Sequence, residues 1–350
     1  MDGATSPSRR SIVFVAGSGR SGTSMFSGIL QRLGYAIPQP EVPADDSNPK
    51  GFAESRWVVD FHARLLRTAQ VQTADARPTA WTDTMAASTD AVAEELRAFL
   101  KEQFSAADHV LIKDPRLIWF LPLWRRVAID LGVTPRFVTM LRHPAAVIDS
   151  KSRHYGAWAD VAGDVSRTAG WINTMLYTER ATREGLRIAV QYEDLLADWP
   201  KTIARVSDAL TLEPVATATA TRIRAAEAFV DPSLRRSSSS WEGLGIPAAL
   251  QEQAEHVWSL LTRLTEDDAD VDELSRSLDE ARESYITLYQ EAEAIAQASI
   301  TAAARRRDRA AKKAAAKPAP SALRRVGRKL PPRWKRLARS WIDRSPARSA

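Results

Sequence analysis

The 350-residue sequence contains no cysteine. That absence excludes disulfides, thiolate metal ligands and a cysteine nucleophile, and it fits a reducing compartment. No apolar run approaches the roughly 18 residues that a membrane-spanning helix needs. Arg9-Arg10 precede "SIVFVAG", but that stretch is too short for the apolar core of an export signal and runs directly into glycines. It is expected to be a first strand. The histidines His62, His109, His143, His154 and His256 form no H-x-x-x-H pair, so no metal cluster is expected. His62 reads best as an ordinary surface or core histidine. No internal repeat is evident.

The net charge of +6 hides an asymmetry. Residues 301–350 hold 17 Lys/Arg against 2 Asp/Glu, or +15, which leaves −9 for residues 1–300. A mildly acidic body therefore carries a strongly basic tail, and an anionic surface is the natural partner for the tail.

"IVFVA" is a continuous β-branched run, as expected of a parallel strand buried on both faces. His109–Lys113, Arg136–Leu141 and Arg187–Tyr192 read as three more such strands. Helical patterns fall between them, at about Thr23–Leu33, Trp57–Leu66, Ala91–Phe104, Ile118–Leu131, Ala145–Arg153 and Val165–Glu184. The alternation predicts an α/β fold of three layers, a central parallel β-sheet covered by helices on both sides. The later half reads as a helical C-terminal extension. From Val271 to Ile295, apolar or small residues recur at steps of three and four, which suits either a coiled coil or a long helix packed on its own domain. The expected division is 1–265 for the α/β domain, 266–317 for the long helix and 318–350 for a basic amphipathic tail. That tail interleaves Leu323, Val326, Leu330, Trp334, Leu337, Trp341 and Ile342 with basic residues, which suits an anionic membrane surface better than nucleic acid. A solvated tail without a partner is the alternative.

"AGSGRSGTSMF" stands between the first strand and the first helix. A Gly-rich turn there aims backbone N–H groups and the positive end of the helix dipole at one point, so an anion is the natural occupant. Gly17 and Gly22 keep the spacing of a phosphate loop of the GxxxxGK[ST] type, and Ser24 stands at its hydroxyl position. The lysine is missing: Thr23 occupies its place, and the one cation in the loop is Arg20. A P-loop kinase or NTPase would want that lysine and a Mg²⁺-binding Asp, for which Asp114 is the candidate.

The strand–"GRSGTS"–helix arrangement closely resembles the 5′-phosphosulfate loop of sulfotransferases that use 3′-phosphoadenosine-5′-phosphosulfate (PAPS). The resemblance implies a P-loop-NTPase-like fold and a cradle for the phosphosulfate from Gly19, Arg20, Ser21, Gly22, Thr23 and Ser24, with Arg20 near its outermost group. "MLRHPAAVIDSKSR" resembles the element that holds the 3′-phosphate in that family, through Arg142 and Ser150. "QYEDLL" resembles the segment whose tyrosine contacts adenine, here Tyr192. "LIKDPRLIWFLP" resembles the Lys-Asp-Pro segment of tyrosylprotein sulfotransferases and bacterial relatives, in which the lysine, here Lys113, stabilises developing charge. "NPKGFAESRWVVDFH" resembles the acceptor-side segment of bacterial members and contains Glu54. Together these matches span about residues 11–240 in the family's order.

One position departs from the pattern. Small-molecule sulfotransferases of the cytosol carry a histidine base two residues after the corresponding lysine, and here that residue is Pro115. A carboxylate is the expected substitute, Glu54 first and Asp114 second, although Asp114 suits an orienting partner of Lys113 or Arg116 better. Arg235 or Arg236 stands where the family has a late loop contacting the 3′-phosphate. The resemblance thus implies a PAPS-dependent sulfotransferase, with PAPS as co-substrate and no metal required. Glu54, Arg20 and Lys113 carry the chemistry on a hydroxyl of a glycan, glycolipid or metabolite. A membrane-associated scaffold with a degenerate site is a further alternative. The expected location is cytoplasmic, on the inner membrane face if the tail binds lipid, and the 271–295 helix permits a homodimer.

Overall fold

A computed structural model of the protein describes residues 10–46, 48–154, 161–230 and 240–315. Arg235, Arg236 and the segment 318–350 lie outside the described residues. Among those described, four strands form one sheet: β1 (Ser11–Ala16), β2 (His109–Lys113), β3 (Thr134–Leu141) and β4 (Leu186–Gln191). All neighbours are parallel, in the order β2-β1-β3-β4. Each strand falls where its β-branched run predicts.

Helices α1 (Thr23–Leu33), α2 (Arg56–Ala69), α3 (Ala80–Ala87) and α4 (Asp90–Ala106) separate β1 from β2. A turn of 3-10 helix (Leu117–Trp119) and α5 (Leu121–Asp130) lead to β3. Next come α6 (Pro144–His154) and α7 (Val161–Thr182), then β4. After it follow α8 (Tyr192–Ala197), α9 (Trp199–Leu210), α10 (Glu213–Ala216), α11 (Ala220–Phe229), α12 (Ala248–Arg263) and α13 (Val271–Ala315). The single helix expected over 118–131 is broken because Pro122 has no N–H to donate and fits only a first turn, where α5 holds it.

The sheet is buried on both faces, and successive β1 residues divide between them. Ile12, Phe14 and Ala16 join the core beneath α2, α4 and α5, whereas Val13 and Val15 join the one beneath α1, α9 and α11. Phe14 stacks on Phe137 at 5.4 Å and meets Trp124 edge-on at 5.7 Å. Burying each such side chain contributes about 1.5–3 kcal/mol. A third cluster lies where α7, α12 and the start of α13 pack beyond the end of β3. Leu274, Leu278, Ala281 and Tyr285 are buried in it, so these positions of the three-and-four pattern face the chain's own core. Buried Glu179 on α7 accepts hydrogen bonds from Arg183 and Arg187, and Arg183 reaches Asp279 on α13 at 2.8 Å.

The chain divides into two units, Met1–Tyr289 and Gln290–Ala350. In the second, the described residues continue α13, and Ile295 and Ile300 are exposed. No helix among the described residues is long and apolar enough to cross a membrane.

Candidate functional site

The chain runs from β1 to β2 on one side of β1, whereas β3 lies on the other. Parallel sheets open a crevice beyond the carboxyl ends of their strands at such a switch point. Here all four strand ends deliver a residue singled out in the sequence. β1 runs into the Gly17–Gly22 loop, β2 ends on Lys113, β3 is followed by Arg142 and β4 by Tyr192.

Two glycines make the loop. Gly17, at φ 138°, leaves β1 so close to β3 that an added Cβ would lie 2.6 Å from the Met140 carbonyl oxygen. Gly22, at φ 83°, caps α1 and carries the Tyr192 ring where its own Cβ would be, 2.2 Å from Cδ2. The first N–H groups of α1 have no intrahelical partner and point towards the loop. Arg20 holds a left-handed φ of 75°, a conformation that costs a non-glycine residue about 1–2 kcal/mol and persists only where surroundings impose it. What imposes it is visible: the Arg20 carbonyl accepts from Arg142 Nη1 at 2.6 Å, and Arg20 Nε donates to Ser150 Oγ at 3.1 Å.

Arg142 and Tyr192 are neighbours because Leu141 and Gln191 pair in the sheet register. The Arg142 guanidinium lies 4.8 Å from the centre of the Tyr192 ring. Arg20, Arg142, Ser150 and Tyr192 therefore form one cluster. The Arg20 side chain spans from the loop towards α6, and the cation adjoining Ser24 is Lys113.

Lys113 Nζ donates to Glu54 Oε1 at 2.6 Å, Ser24 Oγ at 3.1 Å and the Phe52 carbonyl at 3.2 Å. Both partners of this ion pair are buried. Burial pushes the Glu54 carboxyl above its ordinary range; Lys113 offsets part of that rise, and Asp114 adds to it. Asp114 itself lies beneath the cleft, 1% exposed. It accepts from the Arg116 backbone N–H at 2.6 Å and Nη1 at 2.8 Å, and meets His62 Nδ1 at 3.3 Å. Trp124 Nε1, a donor only, bonds His62 Nε2 at 2.8 Å, so the ring proton stands on Nδ1 and points to Asp114. Burial pushes Asp114 upwards, but the His62 and Arg116 contacts outweigh it and hold the carboxyl below its ordinary value. Asp114 is thus an orienting residue for Arg116, and His62 a core histidine.

These side chains line or underlie one cleft of about 1040 Å³. Gly19, Arg20, Gly22, Thr23, Ser24, Glu54, Lys113, Arg142 and Tyr192 line it. Ser150 is reached through Arg20. Ser21 is buried, does not line the cleft, and spends its N–H on the Ser18 carbonyl at 3.2 Å. Lys151, Phe229 and Arg67 are among the lining residues that carried no signal of their own in the sequence. Lys151, one residue beyond Ser150, donates to Ser18 Oγ at 3.2 Å. Desolvation, helped by Arg167, lowers its ammonium to about 8. Phe229 ends α11, far from the loop in sequence, and its ring covers Gly28. Arg67 stands in the last turn of α2. Of the ionised side chains that line the cleft, eight are Arg or Lys and one, Glu54, is a carboxylate. That balance opposes the net −9 of residues 1–300.

A parallel α/β sheet with a glycine loop at its switch point, and a cleft lined mostly by cations at the strand ends, makes a phosphate-loop-like α/β fold. The profile of the sulfotransferase family matches residues 12–216, from β1 through β4 to α10. The chain belongs to the sulfotransferase family. Among solved structures, it is similar to the sulfotransferase domain of the Synechococcus PCC 7002 olefin synthase, with 18% identity and a TM-score of 0.43 over 72% of this chain and 94% of that one. A second is the sulfotransferase domain from the curacin biosynthetic pathway, with 13% identity and a TM-score of 0.41 over 72% and 98%. No curated protein matches the chain.

Proposed function

We propose that the protein moves a sulfuryl group from PAPS to an acceptor hydroxyl by in-line transfer, with Glu54 as base. In this reading the loop N–H groups, Thr23 and Ser24 hold the 5′-phosphosulfate. Arg142 and Ser150 take the 3′-phosphate, and Tyr192 the adenine. Lys151 adds a cation at Ser18. Arg20 stands between the two phosphate positions.

The observation that carries the reading is the 2.6 Å contact of Lys113 with Glu54, one hydroxyl away from the loop through Ser24. When the phosphosulfate enters, Lys113 exchanges the carboxylate for the bridging oxygen. Losing that cation removes an influence that lowers the Glu54 pKa, so the binding step makes Glu54 a stronger base. Acceptor oxygen then attacks sulfur as its proton passes to Glu54. The bond from sulfur to the bridging oxygen breaks, and the charge left on adenosine 3′,5′-bisphosphate falls to Lys113 and Arg20. A sulfuryl group carries less charge than a phosphoryl group, so two protein cations serve where a kinase uses Mg²⁺.

The test is transfer of ³⁵S from labelled PAPS to fractionated hydroxyl-bearing metabolites and glycans. Label should move to an organic product with the wild-type protein and not with Lys113→Ala. Transfer of γ-phosphate from ATP, with PAPS inert, would overturn the reading.

A further inference from the structure

Part of the cleft lies beyond everything assigned to the nucleotide above. It is formed by α2, the connection from α2 to α3, and the turn after β2. Leu66, Val71 and Ile118 give it an apolar floor. Its wall, the backbone of Gln72–Ala74, is held from behind. Trp119 Nε1 donates to the Thr73 carbonyl at 3.1 Å and Asn173 Nδ2 to those of Asp75 and Arg77 at 2.8 and 2.9 Å. Tyr285 OH, from α13, donates to the Ala76 carbonyl at 2.6 Å. Asp75 closes the turn by accepting the Gln72 and Arg77 N–H groups, each at 2.9 Å. This half of the site is therefore preformed, which reduces the ordering cost of binding.

Two cations, Arg67 and Arg116, line the cleft together with that apolar floor. Arg116 is fixed by Asp114 through Nη1 and its backbone N–H, and its Nε and Nη2 have no partner among the described residues. Arg67 is exposed and has no side-chain hydrogen bond or ion pair among them. No carboxylate lines this half of the cleft among the described residues. Guanidinium nitrogens with donors still to spend, in a cleft with an apolar floor, suit a carboxylate or phosphate attached to an apolar body.

We infer that the acceptor is an amphiphilic acid: a hydroxyl compound whose apolar part covers Leu66, Val71 and Ile118 and whose anionic group meets Arg67 and Arg116. The inference rests on the proposed function, since it takes this half of the cleft as the acceptor side. Bound there, such a molecule presents its hydroxyl towards Glu54, whose own carboxylate turns the acidic end away. Uncharged acceptors lose the guanidinium contacts, and cationic ones are repelled.

The test uses the full chain and two titrations. Calorimetry with adenosine 3′,5′-bisphosphate comes first and reports on the nucleotide half alone. Then 4-phenylbutanoate, 4-phenylbutanol and 4-phenylbutylamine, which share one apolar body, are titrated into the protein with and without saturating bisphosphate. The expected order is anion, alcohol, amine, with the anion at least tenfold tighter than the alcohol when bisphosphate fills its site. Arg67→Ala, at an exposed position that leaves the fold intact, should shrink that gap to threefold or less and leave the alcohol unchanged. Equal binding of anion and alcohol, tighter binding of the amine, a gap that survives Arg67→Ala, or no binding of any probe overturns the inference. Failure of bisphosphate alone to bind overturns instead the nucleotide reading on which it rests.

Discussion

Gly22→Ala probes the junction of loop, helix and ring. The new methyl must adopt φ 83°, which costs about 1–2 kcal/mol for an L side chain. It would also stand 2.2 Å from Tyr192 Cδ2 and 2.8 Å from Cε2, so the ring has to move. Displacing a packed group in this way costs about 1–3 kcal/mol more. The expected loss of stability is therefore roughly 2–5 kcal/mol, read by urea denaturation. A double-mutant cycle separates the two parts. In a Tyr192→Ala background the clash is gone and the backbone cost remains, so Gly22→Ala should cost only about 1–2 kcal/mol there. The moved ring should also weaken adenosine 3′,5′-bisphosphate binding, because Tyr192 is the proposed adenine contact. A loss below about 1 kcal/mol, or equal losses in both backgrounds, would refute the geometric reasoning.

Other outcomes follow from the same geometry. Glu54→Gln keeps an oxygen for Lys113 but cannot take a proton; it should lower kcat by roughly 10²–10⁴ while sparing bisphosphate affinity, and the wild-type acid limb should lie above the ordinary carboxylate range. Lys151, at about 8 in the free protein, loses its proton as pH rises, so bisphosphate affinity should decline above pH 8 and Lys151→Met should abolish that decline in calorimetry. The sign for stability is opposite. Between about 8 and the unfolded value of about 10.4 the unfolded chain binds more protons, so the ammonium opposes folding below that window and the opposition is relieved as pH rises through it.

The strands and the loop were legible because each has a local cause. A run such as Ile12–Ala16 is apolar at every position only when both faces are buried, and Gly17 and Gly22 sit where the backbone needs them. Lys113, Arg142 and Tyr192 were singled out by the resemblance of their segments to a known family, and each stands at or just beyond a strand's carboxyl end. What local pattern could not show was three-dimensional. Lys151 resembles any helix lysine until the bend of the loop brings Ser18 to it, 133 positions away in sequence. Phe229 and Arg67 lie on helices whose approach to the cleft is set by packing. The α2–α3 connection has no periodicity, and its order comes from side chains as distant as Tyr285. The left-handed backbone of Arg20 and its contact with Ser150, 130 positions away, are likewise set by the fold and carry no local signal.

The central claim is that this cleft takes a nucleotide with a 3′-phosphate. Thermal unfolding with adenosine 3′,5′-bisphosphate, ADP and ATP, each with and without Mg²⁺, tests it most directly. A ligand that binds only the folded chain stabilises it by about 2.7 kcal/mol at a hundredfold excess over Kd. The bisphosphate should stabilise far more than ADP or ATP, without Mg²⁺, and Arg142→Ala should erase that preference while sparing the weaker effect of ADP. Strongest stabilisation by ATP, dependent on Mg²⁺ and indifferent to Arg142, would contradict the account.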